Sequence, residues 1–400
     1  MKKDLLELLQ FVEKNNTFYS KKFMRQGISF LKDGINYDEC FSMLNATTKD
    51  DYVKIGQDVV SDCYKECKLE NQYTSGSTGI PLLIYKTQGE IFAQVHHLWK
   101  YRKETAEILP SDRYIRTHIS ERNGKNVKMD KIIRDRYFLS FNIVLVDDVS
   151  LMEYYLSFVD FEPKWILSGL SFMLLFSEFI VRHNLIIPHI EYIELTGEYV
   201  SQEQEDYLRS IWKCIVVNHY GCREAYAIAL ECKYGNLHIL EENVIVEIED
   251  NKSFSDGYGN ILLTLLHSKS MPFIKYAIGD IGRIEKEKCL CGKKEKLTLL
   301  GGRKSDYFDW QGHRIHSSVF HYIIKVVNLK SNSNIIFFQI SRLDINIVFQ
   351  ICLRDTSAFD TICKMIIAET SNVIKNAEVK VELLTLEKMS MLSSGKHRVI

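Results

Sequence analysis

Between Tyr73 and Gly79 the chain reads YTSGSTG, a run dense in hydroxyls and glycines. Glycine lets backbone N–H groups approach a ligand closely, and hydroxyls add donors; together they can wrap a phosphate chain. Thr74, Ser75, Ser77 and Thr78 would supply the hydroxyls, and Gly76 and Gly79 the bare backbone. The same composition also describes a flexible Ser/Gly linker. The run lacks the Gly-Lys-Ser/Thr ending of a P-loop and the G-x-G-x-x-G spacing of a dinucleotide fold. A second group consists of Cys232 and His238 in CKYGNLH and Cys289 and Cys291 in CLCG. Three thiolates and one imidazole suit tetrahedral Zn²⁺, and four protein ligands would make such a metal structural. The alternative is a set of thiols packed as small hydrophobes.

Elements must position these residues. RYIRTH, FNIVLV, KWILSG, IEYIEL and CIVVNHYG read as strands, and LMEYYLSFV, SFMLLFSEFIVRHN and SQEQEDYLRSIW as helices. Their alternation predicts a largely parallel sheet covered by helices. A β-rich stretch with NVIVEIED and NILLTLLHS follows. After GGRKSD the pattern changes to a hairpin, a helix from Ser317 to Val327, two strands, a helix from Phe359 to Ile374 and a last strand from Glu378. The predicted class is therefore α/β. A large N-terminal domain, residues 1–303, holds mostly parallel sheet, helices and a β-rich part. A small α+β C-terminal domain, residues 304–400, follows. The opening residues place Leu5, Leu8, Leu9 and Val12 at helical spacing, interrupted by Asp4, Glu7 and Glu13, which predicts an amphipathic helix and not a signal peptide.

A chain of 400 residues exceeds the usual span of one core and predicts two domains. Fifty-one basic against 52 acidic residues leave a net charge of −1. That balance offers no grip on nucleic acid or an anionic membrane. No apolar stretch is long enough to span a bilayer. A cytoplasmic location is expected, with the ten cysteines as thiols or metal ligands and not a disulfide framework.

Six segments in order resemble the motifs of the adenylate-forming superfamily, which includes acyl-CoA synthetases, nonribosomal adenylation domains and luciferases. The loop at 73–79 resembles its phosphate loop. LTGEYVS (Leu195 to Ser201) resembles its adenine-side segment, with a Gly-Glu pair like that of the phenylacetate–CoA ligase branch. NHYGCREAYAIALEC resembles the Tyr-Gly-x-x-Glu motif and YAIGDIGRI the Tyr-x-x-Gly-Asp motif. GGRKSDYFDWQGHRI resembles the interdomain hinge and SSGKHR the C-terminal catalytic lysine motif. The resemblance covers nearly the whole chain. The chain length and the Cys/His set place it nearest the phenylacetate–CoA ligase-like branch, several of whose members carry a structural zinc.

The resemblance implies a two-step reaction. A carboxylate attacks the α-phosphate of ATP and releases pyrophosphate; a thiol, most simply CoA, then takes the acyl group from AMP. A carrier protein or an amine is the alternative acceptor, and a silent binding homologue a third reading. Thr74, Ser75, Gly76, Ser77, Thr78 and Gly79 would cradle the β- and γ-phosphates. Tyr220 would stack on adenine beside Gly221, and Gly197 and Glu198 would line the adenine or acyl side. Glu224 would hold Mg²⁺, Asp280 and Arg303 the ribose or phosphates, and Lys396 the developing charge between carboxylate and α-phosphate. Ser168, Phe172, His219 and Tyr226 would line an acyl pocket suited to an aromatic acid. Four residues at three places depart from the pattern: Leu82 after Pro81, Ala277-Ile278 before Gly279-Asp280, and Ser305 in the hinge.

Overall fold

A strand buried on both faces needs continuous apolar residues, and parallel strands covered by helices meet that condition. In the computed structural model, the strand Tyr192–Thr196 buries its first four residues, and Trp165–Ser168 buries three of four. The structure describes residues 2–74, 82–118, 131–143, 146–250, 256–303, 307–310, 313–331, 334–343, 345–374, 377–385 and 388. The chain forms two units, Met1–Tyr101 with Tyr220–Leu300 and Arg102–His219 with Gly301–Ile400.

In the second unit the strands Ile215–Tyr220, Tyr192–Thr196, Trp165–Ser168, Tyr114–His118 and Phe138–Asn142 lie side by side and parallel, and Ile132–Arg134 adds an antiparallel edge. The helices Asp148–Phe161, Leu170–Arg182 and Gln202–Trp212 connect or follow them. Asp147 caps the first, accepting from Ser150 N at 2.8 Å, and Ser201 with Gln204 forms a capping box on the third. Phe158, Phe172, Phe176 and Trp212 interlock beneath the sheet, and the Trp212 indole donates to Ser177 Oγ at 2.8 Å. One expected strand is displaced. FNIVLV reads as residues 141–146, but among the described residues the strand runs over Phe138–Asn142, paired with Tyr114–His118.

The same unit ends in a small three-stranded sheet. Ile335–Leu343 and Asn346–Leu353 are antiparallel, Glu378–Leu383 is parallel to the second, and the helices Ser317–Lys330 and Phe359–Val373 accompany them. Its own core includes Phe320, Ile323, Phe349, Ile351 and Ile362. The chain is thus a mixed α/β fold with a large parallel-rich sheet and a separate small sheet towards its C-terminus.

In the first unit, the helix Lys3–Asn15 buries Leu5, Leu8, Leu9 and Val12, the face its spacing predicts. The strands Val244–Asp250, Gly259–Leu265 and Tyr276–Glu285 form an antiparallel meander. Among the described residues no helix is long and apolar enough to cross a membrane.

A buried charge pair ties the parallel sheet to the end of the helix Gln88–Ala106. Arg102 Nε and Nη2 donate to Glu194 Oε2 and Oε1 at 2.8 and 2.7 Å. Tyr192 Oη donates to Oε2 at 3.0 Å, and His219 Nδ1 lies 2.7 Å from Oε1. The guanidinium sits over the Trp165 ring, 4.7 Å from its centroid. Burial by itself would raise the Glu194 pKa; the Arg102 charge and hydrogen bonds, with His219, override it and hold the carboxyl well below the usual carboxylate range. A carboxyl depressed in the folded state stabilises above its unfolded pKa of about 4.3, and that contribution fades as pH falls towards the folded pKa. Glu194→Gln leaves Arg102 buried without its counter-charge and is expected to cost about 3–5 kcal/mol. Urea unfolding at pH 7 checks this: the variant should unfold at clearly lower urea, with the gap narrowing as pH falls below 4. Equal midpoints at pH 7 would refute it.

Candidate active site and metal centre

The carboxyl ends of adjacent parallel strands are where ligands sit in open α/β sheets. Three such ends lie in register here. Ser168 pairs with Leu195 and Leu195 with Asn218, so these three form one row; Thr196 pairs with His219 in the next row, just before the Gly197 turn. Thr117 Oγ1 joins the row at 3.3 Å from Ser168 Oγ. Gly197 has φ +83°, a left-handed turn that glycine accepts readily. Beyond it the Glu198 carboxylate accepts from Ser171 N at 3.1 Å and from the Ser171 hydroxyl, at the start of the helix Leu170–Arg182. A Cβ on Gly169 would lie 2.5 Å from Glu198 Oε1, so a larger residue there would displace this carboxylate. Phe172 is 1% exposed and packs against Phe141, Tyr154 and Phe176 within the aromatic core.

In the first unit, the strands Glu70–Tyr73 and Leu83–Lys86 pair antiparallel and bracket the hydroxyl-rich run. Thr74 closes its neck twice, donating from its N–H to Leu82 O at 3.0 Å and accepting from Leu82 N on Oγ1 at 2.8 Å. Ser75, Gly76, Ser77, Thr78 and Gly79 lie outside the described residues, as do Ser305 and Lys396. Arg303 ends the strand Lys296–Arg303, and its side chain is also outside the described set.

One strand, Tyr276–Glu285, meets two residues of the Tyr220–Ala227 turn. Tyr220 Oη donates to Asp280 Oδ2 at 2.9 Å, and Tyr276 Oη donates to Glu224 Oε1 at 3.0 Å. Asp280 is lifted out of the ladder by a bulge. Asn260 pairs with Ile281 and Leu262 with Ala277, so Ile278, Gly279 and Asp280 stand opposite Ile261 alone. Gly279, at φ +91°, makes that excursion possible. Glu224 is buried, with relative exposure of 5%. Gly221 follows Tyr220 at the strand end, and Tyr226 takes φ +59° while its Oη accepts from Gln72 Nε2 at 2.6 Å.

The Cys232, His238, Cys289 and Cys291 ligand atoms all lie within 4.8 Å of one another. Two matching turns bring them there. Cys232 N donates to Asn236 O and Gly235 N to Cys232 O, both at 2.9 Å; Cys289 N donates to Lys293 O at 2.8 Å and Gly292 N to Cys289 O at 2.9 Å. Gly235 and Gly292 take φ +73° and +95°. Each turn is therefore a Cys-x-x-Gly knuckle, a repeat that the sequence carries and the residue-type reading passed over. The donor set fits zinc: Zn–S bonds of about 2.3 Å in a tetrahedron put sulfurs about 3.8 Å apart, and Cys232 Sγ is 3.8 Å from Cys289 Sγ. Cys291 Sγ is 3.2 Å from His238 Nε2. His238 Nδ1 lies 2.5 Å from Glu295 O; donation there leaves Nε2 as the ligand atom. The Cys291 N–H pulls the Cys289 thiol down to about 6, whereas burial pushes Cys232 up to about 11.

Sequence reading also passed over Glu194, which contacts His219 from 25 residues away (219 − 194), and Arg102, which bonds to Glu194 from 92 residues away. Neither carries a local signature.

No protein-family model matches the chain. Protein CapK of Staphylococcus aureus is 22% identical over 309 residues, spanning 75% of this chain and 66% of that protein. A 2-hydroxyisobutyryl-CoA ligase, solved in the postadenylation state with R3-HIB-AMP, superposes with a TM-score of 0.74 at 15% identity, covering 99% of this chain and 88% of that one. The anthranilate CoA ligase AuaEII, solved with anthranoyl-AMP, superposes with a TM-score of 0.55 at 12% identity, over 82% of this chain and 64% of that one. The chain has the fold of the adenylate-forming CoA ligases.

Proposed function

We propose that this protein activates a carboxylic acid, most simply an aromatic one, as its acyl-AMP and then transfers the acyl group to the thiol of CoA. The observation that supports this best is the pairing of Tyr220 with Asp280 and of Glu224 with Tyr276 across one strand. It places the acidic residues of two superfamily motifs on facing elements of one unit. The phenylacetate–CoA ligase-like branch is the reading favoured by Gly197-Glu198 and the Cys/His set.

Each role follows from chemistry. Asp280 accepts two ribose hydroxyls, exchanging its present donor Tyr220, whose ring is then available to adenine. Glu224 is the carboxylate that would hold Mg²⁺; that ion, when bound, offsets phosphate charge. The hydroxyl-rich run holds the departing pyrophosphate oxygens, and Arg303 a ribose or phosphate oxygen. Ser168, Gly197 and His219 line the acid at the strand ends. Residues 304–400 act as a mobile domain that brings Lys396 to the α-phosphate for the first step and withdraws it for the second. Such a protein would work in the cytoplasm, where CoA is found.

The test is ATP–pyrophosphate exchange over a panel of carboxylic acids, followed by supply of CoA, a carrier protein or an amine. Exchange with an aromatic acid and AMP release on adding CoA are expected; no exchange with any acid would reject the reading, and use of only an amine or carrier would reject the acceptor. Glu224→Ala should depress exchange strongly, and wild-type exchange in that variant would show its role misassigned. Lys396→Ala should lose adenylate formation by about 10²–10³-fold, yet transfer from pre-made acyl-AMP at near the normal rate. Equal losses in both half-reactions would contradict the moving domain.

The Cys/His set is proposed as a structural zinc site. Protein prepared without chelator should hold about one zinc per chain by metal analysis. Cys289→Ser should lower both zinc content and melting temperature. A zinc-free preparation with unchanged stability would refute the site.

A further inference from the structure

Lys86 closes the strand Leu83–Lys86 and is 1% exposed. A lysine this deep ordinarily needs a carboxylate beside it. Here the three donors of its ammonium go to neutral oxygens: Gln94 Oε1 and Glu224 O at 2.7 Å and Arg223 O at 3.2 Å. Nζ also lies 4.2 Å from the centroid of the Tyr226 ring. Gln94, itself buried, is fixed by donating to Ser268 Oγ at 2.9 Å.

These contacts fall on a stretch that lacks a ladder of its own. The turn from Cys222 to Ala227 is neither helix nor strand; Tyr226 N and Ala227 N satisfy the Cys222 and Ala225 carbonyls within it, both at 2.8 Å, and the others need donors from elsewhere. Asn243 Nδ2 supplies Ala225 O at 3.0 Å and Ala227 O at 2.8 Å. Lys86 supplies the two carbonyls before them, including that of Glu224. An apolar side chain of similar length would fill this space without a buried charge. The ammonium is therefore placed for what it holds, the backbone of the residue whose carboxylate faces Tyr276.

We propose that Lys86 is a positioning residue: it fixes the Glu224 backbone so that the carboxylate is presented to a magnesium–nucleotide complex. The inference rests on the function proposed above. It assigns Lys86 no contact with substrate. Removal of an outer-shell partner of a metal ligand typically weakens metal binding by about 10–100-fold.

The experiment measures the rise in unfolding temperature of the full chain against concentration of MgATP and, separately, of ATP with EDTA. Neither titration needs the acid substrate. Lys86→Met should raise the half-saturating MgATP concentration by about tenfold or more and leave that for metal-free ATP within about twofold. Gln94→Met, which removes one acceptor and keeps the lysine, should show a smaller rise with the same selectivity, and it decides the matter if Lys86→Met does not fold. A merely structural role would shift both nucleotide forms equally, and that result overturns the inference. Wild-type preference for MgATP that both variants retain in full overturns it while leaving the proposed function standing. A wild-type protein that responds to neither form overturns both.

Discussion

A carboxylate with no solvent exposure can keep its charge only if every oxygen is met, and Glu194 achieves this with Arg102, Tyr192 and His219. The cluster ties two neighbouring strands, Tyr192–Thr196 and Ile215–Tyr220, to a helix residue 92 positions before Glu194 in the chain. His219 belongs to the row with Thr196, one position beyond that of Ser168 and next to Gly197, so the pose of its ring depends on a carboxylate that never meets solvent. Removing the charge would loosen the row without touching a residue in it. That is why the buried pair comes before the site in the physical order of the fold.

The second constraint is the absence of regular structure at the Glu224 turn. Helices and strands satisfy their own backbones; this turn relies on Lys86 for the Arg223 and Glu224 carbonyls, on Asn243 for that of Ala227 and on Tyr276 for its carboxylate. The arrangement leaves a charged group on a loop yet held from three sides. On the facing strand, a bulge at Gly279 lifts Asp280 towards Tyr220. Two irregularities, a turn and a bulge, thus set the geometry that two regular strands could not.

Much of this was legible in the chain. The alternation of short apolar runs with helical ones indicated the parallel sheet, and residue types alone brought Cys232, His238, Cys289 and Cys291 into one group that the fold gathers. The motif order pointed to Tyr220, Glu224 and Asp280, whose side chains meet Asp280, Tyr276 and Tyr220 in turn. What escaped was non-local. Arg102 and Glu194 look like ordinary polar residues in amphipathic segments, because pairing across 92 residues leaves no spacing to read. Lys86 looks like a solvated strand end until the turn packs over it.

The central claim is that the acid's own oxygen attacks the α-phosphate. The direct measurement supplies the protein with ATP, a thiol and an accepted acid carrying ¹⁸O in its carboxylate, then weighs the nucleotide product by mass spectrometry. The account predicts AMP that has gained a single ¹⁸O from the acid, with pyrophosphate unlabelled. AMP without label, or ADP and orthophosphate as the products, would contradict it.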